Sequence, residues 1–377
     1  MLRSRGFWIG IVVSVIFIAL FLRSTDFGEV KAAFSEANYA LAALSLPVYF
    51  AGLWMRTIRW QYLLRRIKAI PTIRLYPVVI VGLMANNLIP ARAGEIARAY
   101  VLGKRERISK TTSLGTIAVD RLYDGLTLVP MMLIVAAFAK SDTSFDVGFG
   151  SWTVSLGFRG LGIAMAAVFG FALAVLSYLA LAERGRRFLH STSHRVTPAR
   201  FKPNVERMLH SFFDGLHALR SPFDLLVAAV TSSASWLLEA TMYYMVARAF
   251  HIDEPFYVFL LLTAAANLVI AVVATQGGVG PFELVVSRTV VAFGAPEHLA
   301  SAYAIGLHAL LLFPIIILGL YLMWSMKLTF GDMLKQSSYD DVEPAPAGVA
   351  SSSAANEPAG RQTTLQSKPA VEGSGGP

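Results

Sequence analysis

Apolar runs of near-membrane length, separated by short polar stretches, set the pattern of this chain. The first, FWIGIVVSVIFIALFL, occupies 7–22, and others follow at 39–62, 75–89, 114–138, 160–182, 222–249, 256–275, 282–293 and 301–326. A helix needs roughly 20 residues to cross ~30 Å of hydrocarbon. Segments 75–89 and 282–293 fall short of that; most of the others do not. The pattern predicts an all-α polytopic integral membrane protein. Basic MLRSRG precedes the first run, but RSTDFGEVK follows it with no small-residue cleavage site, so 7–22 reads as an uncleaved helix with Arg3 and Arg5 in the cytoplasm.

Charge then orders the segments. A return through 39–62 sets Arg56, Arg59, Arg65, Arg66, Lys68 and Arg74 near the cytoplasm, as the positive-inside rule expects. A crossing at 75–89 would instead export Arg92, Arg98, Lys104, Arg105, Arg107 and Lys110. A re-entrant hairpin over about 75–102, entered from the cytoplasm, keeps both basic stretches inside. Segment 114–138 then leads out to the loop SDTSFDVGFG, 160–182 returns, and the basic loop 183–221 lies inside. Segment 222–249 goes out again. A second hairpin over about 256–294, entered from the outside, lets 301–326 end inside at Lys327. The expectation is six crossings, two oppositely oriented re-entrant hairpins resembling an inverted repeat, and both termini cytoplasmic in a cell inner membrane.

Composition narrows the chemistry. Hydrophobic residues make up 55% of the chain and charged residues 15%, so the membrane reading stands, and the net charge of +9 follows from cytoplasmic Lys and Arg rather than from nucleic-acid binding. With no cysteine there is no thiol nucleophile, disulfide or Cys-based metal site. His190 and His194, four apart in a basic loop, lack a Glu or His partner and read as plain loop residues. No phosphate-binding G-x-x-x-x-G-K-[ST] loop occurs, and neither a cofactor nor a metal is expected. Between Val205 and Leu219 apolar residues recur at helical spacing, the mark of an amphipathic helix on the inner leaflet. A transmembrane domain over 1–330 is thus followed by 331–377, rich in Ala, Ser, Pro and Gly, which reads as a disordered cytoplasmic tail.

Polar residues inside apolar segments mark the candidate site. The hairpin turns ANNLIPARAGE and AANLVIAVVATQGGVGPFE each run from an Asn through a Pro or Gly break to a Glu. Broken helices at matching places in two opposed halves point to a transport site near the midplane, because irregular backbone at that depth must line protein or water. Pro90, Gly94, Gly277, Gly278, Gly280 and Pro281 are the expected structural residues of the turns. Glu283, just after Gly280-Pro281, has two readings, a site carboxylate or the acidic residue of a helix start. In SLGTIAVDRLYDGLTLVPMML, Asp120 and Asp124 share a helix face. Asp120 and Arg121 lie near enough to the cytoplasmic end to snorkel; Asp124 is a turn deeper. Glu239 and Arg288 complete the embedded charges, whereas His308 reads as a packing histidine.

The stretches NNLIPARAGEIAR, DRLYD and GGVGPFE, in this order, resemble the membrane, flippase-like domain of lysylphosphatidylglycerol synthases over roughly residues 5–330. The resemblance implies movement of lipids or lipid-linked molecules between leaflets, and by motif position it points to Asn87, Pro90, Arg92, Gly94, Glu95, Arg98, Arg121, Asp124, Gly277, Gly278, Gly280 and Glu283. The family commonly has Glu where this chain has Asp120. The full synthases add a soluble aminoacyl-transferase domain, for which the residues after 330 are too few and too biased, so the synthase reaction is not expected here. The leading expectation is a non-enzymatic lipid translocator. Asn87, Arg92, Glu95, Arg98, Arg121, Asp124, Glu239, Glu283 and Arg288 would contact a charged head group. A secondary transporter of a small polar solute, an intramembrane enzyme on lipid head groups, and a scaffold for lipid-synthesis enzymes remain as alternatives. Expected partners are membrane lipids, with a second copy or a lipid-biosynthesis enzyme as further possibilities.

Overall fold

The computed structural model describes residues 5–23, 25–89, 94–138, 144–149, 152–157, isolated helical positions between 160 and 209, 222–273 and 275–329. Ten helices are described: α1 (Arg5–Leu22), α2 (Phe27–Glu36), α3 (Tyr39–Leu64), α4 (Thr72–Leu88), α5 (Gly94–Glu106), α6 (Lys110–Phe138), α7 (Pro222–Ala249), α8 (Phe256–Val272), α9 (Pro281–Ala292) and α10 (Glu297–Ser325). Local chemistry sets several boundaries. Asp26 caps α2 by accepting from the Gly28 and Glu29 amides, and Asn38 caps α3 by accepting from Leu41 N–H at 3.0 Å. Pro281 opens α9 at its first turn, where a missing N–H costs nothing.

Helices α3 and α7 form the most extensive pair and run antiparallel. The Asn38 amide donates to Ala249 O at one end, while Arg65 and Arg66 clasp Asp224 at the other. Close approach at the middle depends on Gly52, where a Cβ would come within 3.2 Å of the Ser235 carbonyl. Helix α6 packs against α3, α5, α7 and α8, and α10 against α2, α4 and α9.

Three helices, α3, α7 and α10, are long and apolar enough to cross a membrane, and a fourth span results if α1 and α2, which meet at an 82° bend, are taken together. The protein is therefore polytopic, but six independent spans are not seen among the described residues. Helix α6 has the length, 29 residues, yet Asp120, Arg121 and Asp124 deprive it of a purely apolar stretch. Most of 160–182 lies outside the described residues, as do the amphipathic segment after Val205 except for isolated positions, and all of 331–377.

The loop expected after 138 is partly a β-hairpin, Ser144–Phe149 paired antiparallel with Trp152–Gly157. Its period-two alternation, Phe145, Val147 and Phe149 against Asp146 and Gly148, was there to be read, and the loop's polar flanks obscured it.

Candidate functional site

Two helical hairpins frame the site, both built from short arms. Helices α4 and α5 have 17 and 13 residues, α8 and α9 have 17 and 12. In the first hairpin Asn86 Oδ1 accepts from the Gly94 amide at 2.8 Å. A side chain at Gly94 would run into that same oxygen and the Gly82 carbonyl, so only glycine permits the arms to close this tightly. In the second hairpin, Val273 ends α8, a 3₁₀ turn covers Gln276–Gly278, and Gly280 adopts φ 97° against α1, where a Cβ would lie 2.8 Å from Ser14 O. The tips meet: Gln276 Nε2 donates to Leu88 O at 2.8 Å.

Behind the first hairpin lies a knot of charge. Arg59, fully buried on α3, donates through Nε to Asp120 Oδ1 at 2.7 Å, pairs through Nη2 with Asp124 Oδ1 at 2.9 Å, and donates through Nη1 to Ser232 Oγ at 2.8 Å. Arg98 Nη1 reaches Asp120 Oδ2 at 2.8 Å, with its guanidinium 3.6 Å from the centre of the Trp60 ring. Trp60 in turn donates to Thr116 Oγ1. Arg121 spans both carboxylates, at 3.2 Å from Asp120 Oδ2 and 3.0 Å from Asp124 Oδ2. Asp120 thus meets three arginines, and snorkelling does not describe it: its side chain is wholly inaccessible.

The knot opens onto a cavity of about 550 Å³, within the range of small-ligand sites. On its wall Arg56 Nη2 donates to Glu239 Oε2 at 3.1 Å and lies over the Trp236 ring, while Asn267 donates to Glu239 Oε1 at 3.0 Å. Glu95, Arg121 and Asp124 share this wall, as do the hairpin residues Asn87, Gly277 and Gly278. Leu83, Leu311, Leu312 and Ile315 supply an apolar portion. Four arginines (56, 59, 98, 121) balance four carboxylates (Glu95, Asp120, Asp124, Glu239), which keeps so much charge at depth affordable. Arg56 Nε, Arg121 Nε and Trp236 Nε1 are buried without a hydrogen-bond partner, as are Arg59 Nη2 and Arg98 Nε and Nη2 in the knot.

Most expected residues therefore converge. Asn87, Glu95, Arg121, Asp124 and Glu239 line the cavity, Arg98 sits in the adjoining knot, and Glu283 lies at the second tip, where Oε2 accepts from the Gly280 amide at 2.7 Å and Oε1 meets His308. The helix-start reading of Glu283 holds for one oxygen, and the other faces a partner beyond its own helix. Arg288 stands apart from the site: it lies two turns along α9, is absent from the cavity lining, and pairs with Glu297 at the start of α10. Pro90 and Arg92 lie outside the described residues.

Other residues were missed. Arg56 and Arg59, assigned by the positive-inside rule to the cytoplasmic flank of 39–62 and to no site, are buried within the protein beside the cavity. Arg59 takes both carboxylates of α6, Asp120 and Asp124, and Arg56 takes Glu239 on α7. His308, read as packing, also lines the cavity. Asn267 and Gln276 lie in the second hairpin stretch that the sequence marked but were not among the expected site residues, and Trp236 gave no signal distinguishable from an ordinary membrane-helix residue.

The fold and site together define a polytopic helical membrane protein with a charged cavity between two broken-helix hairpins. The chain belongs to the lysylphosphatidylglycerol synthase TM region family, whose profile matches residues 7–319. It is 26% identical over 278 residues to a UPF0104 membrane protein of Methanothermobacter thermautotrophicus, covering 72% of this chain and 80% of that protein. It is 25% identical over 318 residues to glycosyltransferase AglD of Haloferax volcanii, covering 78% of this chain but 50% of that protein. No solved structure matches.

Proposed function

We propose that this protein is a non-enzymatic translocator that moves a phosphate-bearing lipid between leaflets of the plasma membrane through the cavity. The carrying observation is the meeting of two hairpins from opposite halves of the chain, each with arms too short to cross, against one space that is charged on one side and apolar on the other. On this reading 75–102 enters from the cytoplasm and 256–294 from the opposite face, with both termini cytoplasmic. Arg56 and Arg121 set two cationic side chains in the cavity lining, which favours an anionic head group such as a phosphate. The apolar wall at Leu311, Leu312 and Ile315 suits the first methylenes of an acyl or prenyl chain, which a transporter of small polar solutes would not need.

The test is reconstitution in liposomes with head-group-labelled phosphatidylglycerol, phosphatidylcholine or a polyprenyl phosphate in one leaflet, with and without a proton gradient. Transfer at least tenfold above protein-free liposomes for one phosphate lipid is expected. Rates equal to empty liposomes for every lipid would remove the reading. The chain has no cysteine, so a single Lys104→Cys variant tests the orientation: a membrane-impermeant maleimide should reach it from the cytoplasmic side only.

A further inference from the structure

The second hairpin tip is fastened by one side chain from another helix. His308 on α10 places Nδ1 2.6 Å from Glu283 Oε1 and Nε2 3.0 Å from the Gly277 carbonyl oxygen, and its ring lies 4.4 Å from that of Phe282. A carbonyl only accepts, so Nε2 carries a proton. A backbone amide only donates, so the Glu283 oxygen that takes the Gly280 N–H is unprotonated. What remains is Nδ1 facing Oε1, and a hydrogen bond there needs one proton between them, on nitrogen or on oxygen. The closed arrangement therefore holds one proton more than a carboxylate beside a neutral imidazole. Without it, one ring nitrogen is bare, and either the Glu283 bond or the Gly277 bond is lost.

We infer that Glu283 and His308 form a proton-binding site whose occupied state clamps the second hairpin tip to α10, and whose deprotonation frees the tip. The same tip walls the cavity and reaches the first hairpin through Gln276, so proton loss would also loosen the meeting of the two hairpins. Other ionisable groups face this space: Tyr49 and Arg56 from α3, Glu95 from α5, Arg121 and Asp124 from α6, Glu239 and Tyr243 from α7. From α8 and α4 come the uncharged Asn267 and Asn87. Helix α1, packed on the tip at Gly280, has no ionisable residue beyond Arg5, and β1, which runs beside α9, carries Asp146 in its sequence. Asp124 and Glu239 are each paired with arginine, whereas the clamp must share a proton to exist at all. Use of this proton to drive lipid movement rests on the translocator reading; the site itself does not.

The experiment uses spin labels on Val279→Cys at the tip and Leu44→Cys on the exposed face of α3, in the full chain in phosphatidylcholine nanodiscs. As the pH is raised from about 5 to about 9, the interlabel distance should pass from one population to a second, with more than half the molecules shifting. Glu283→Gln should stay in the low-pH population throughout. Its amide can donate to Nδ1 while its oxygen still accepts the Gly280 N–H, so the clamp is complete without the extra proton. His308→Phe should show the high-pH population at every pH. A pH-invariant distance in the unsubstituted labelled chain, or a Glu283→Gln variant that shifts as that chain does, would overturn the proposal. Because no lipid substrate enters this measurement, a distance shift that Glu283→Gln abolishes would stand even if the liposome assay showed no transfer.

Discussion

Two arginines three residues apart on α3 meet carboxylates in different ways. Arg59 is sealed: Asp120, Asp124 and Ser232 surround it and none of its side chain is accessible. Arg56, one turn earlier, gives one Nη to Glu239 and stands in the lining of the cavity. Both are cations deep within a membrane protein, a circumstance that by default suggests function. The difference teaches that depth alone does not make a charge functional. A charge walled in by its ion-pair partners holds helices in register; a charge that lines a space can bind.

The contrast breaks most sharply at the knot. Arg59→Leu leaves Asp120 with two arginines and Asp124 with one, and strands charge in a dry interior, a change of the kind that costs ~3–5 kcal/mol. That is a large share of the stability of any single domain. The expected outcome is loss of monodisperse protein in detergent, or a marked fall in its thermal midpoint, before any activity can be compared. A variant as stable as the unsubstituted chain would mean that the knot does not hold α3 to α6.

At Arg56 the order of effects should reverse. Arg56→Gln retains a donor for Glu239 and much of the packing on Trp236, so the protein should fold and insert with a small change in thermal midpoint. Lipid transfer in liposomes should fall at least tenfold, because a cation is gone from the cavity lining. If transfer survives Arg56→Gln while the thermal midpoint collapses, Arg56 belongs with Arg59 as structure and the comparison fails.

This pairing also marks what was legible in the sequence. The hairpins were, because arm length and loop charge are one-dimensional quantities, and GGVGP announces a turn that few other residues could make. Asp124 and Glu239 stood out as charges inside apolar segments. Arg56 and Arg59 were equally inside one, but the positive-inside rule offered a sufficient account of them as flanking charges, and that rule counts loop sides without measuring depth. His308 escaped because its role comes from two partners 25 and 31 positions away, a distance no helical periodicity spans. The span count suffered for a related reason. Helix α6 has the length of a crossing, but Asp120, Arg121 and Asp124 make its middle polar, and only in the packed molecule do arginines from α3 and α5 neutralise its carboxylates.

The smallest expected effect sharpens the comparison from outside it. Arg288 entered the candidate site as an embedded cation of the second hairpin, and by sequence it ranks with Arg121. In the fold its guanidinium pairs with Glu297 at 3.2 Å, and the partner carboxylate is more than half exposed. An ion pair this accessible contributes at most about 1 kcal/mol and commonly less. Arg288→Ala should therefore leave the thermal midpoint within a degree or two and lipid transfer within about twofold of the unsubstituted chain, measured beside Arg56→Gln in the same liposome preparation. The two substitutions each remove one positive charge, so equal losses of transfer would show that net charge, rather than placement on the cavity wall, governs the activity. A loss confined to Arg56→Gln would tie transport to the cavity wall.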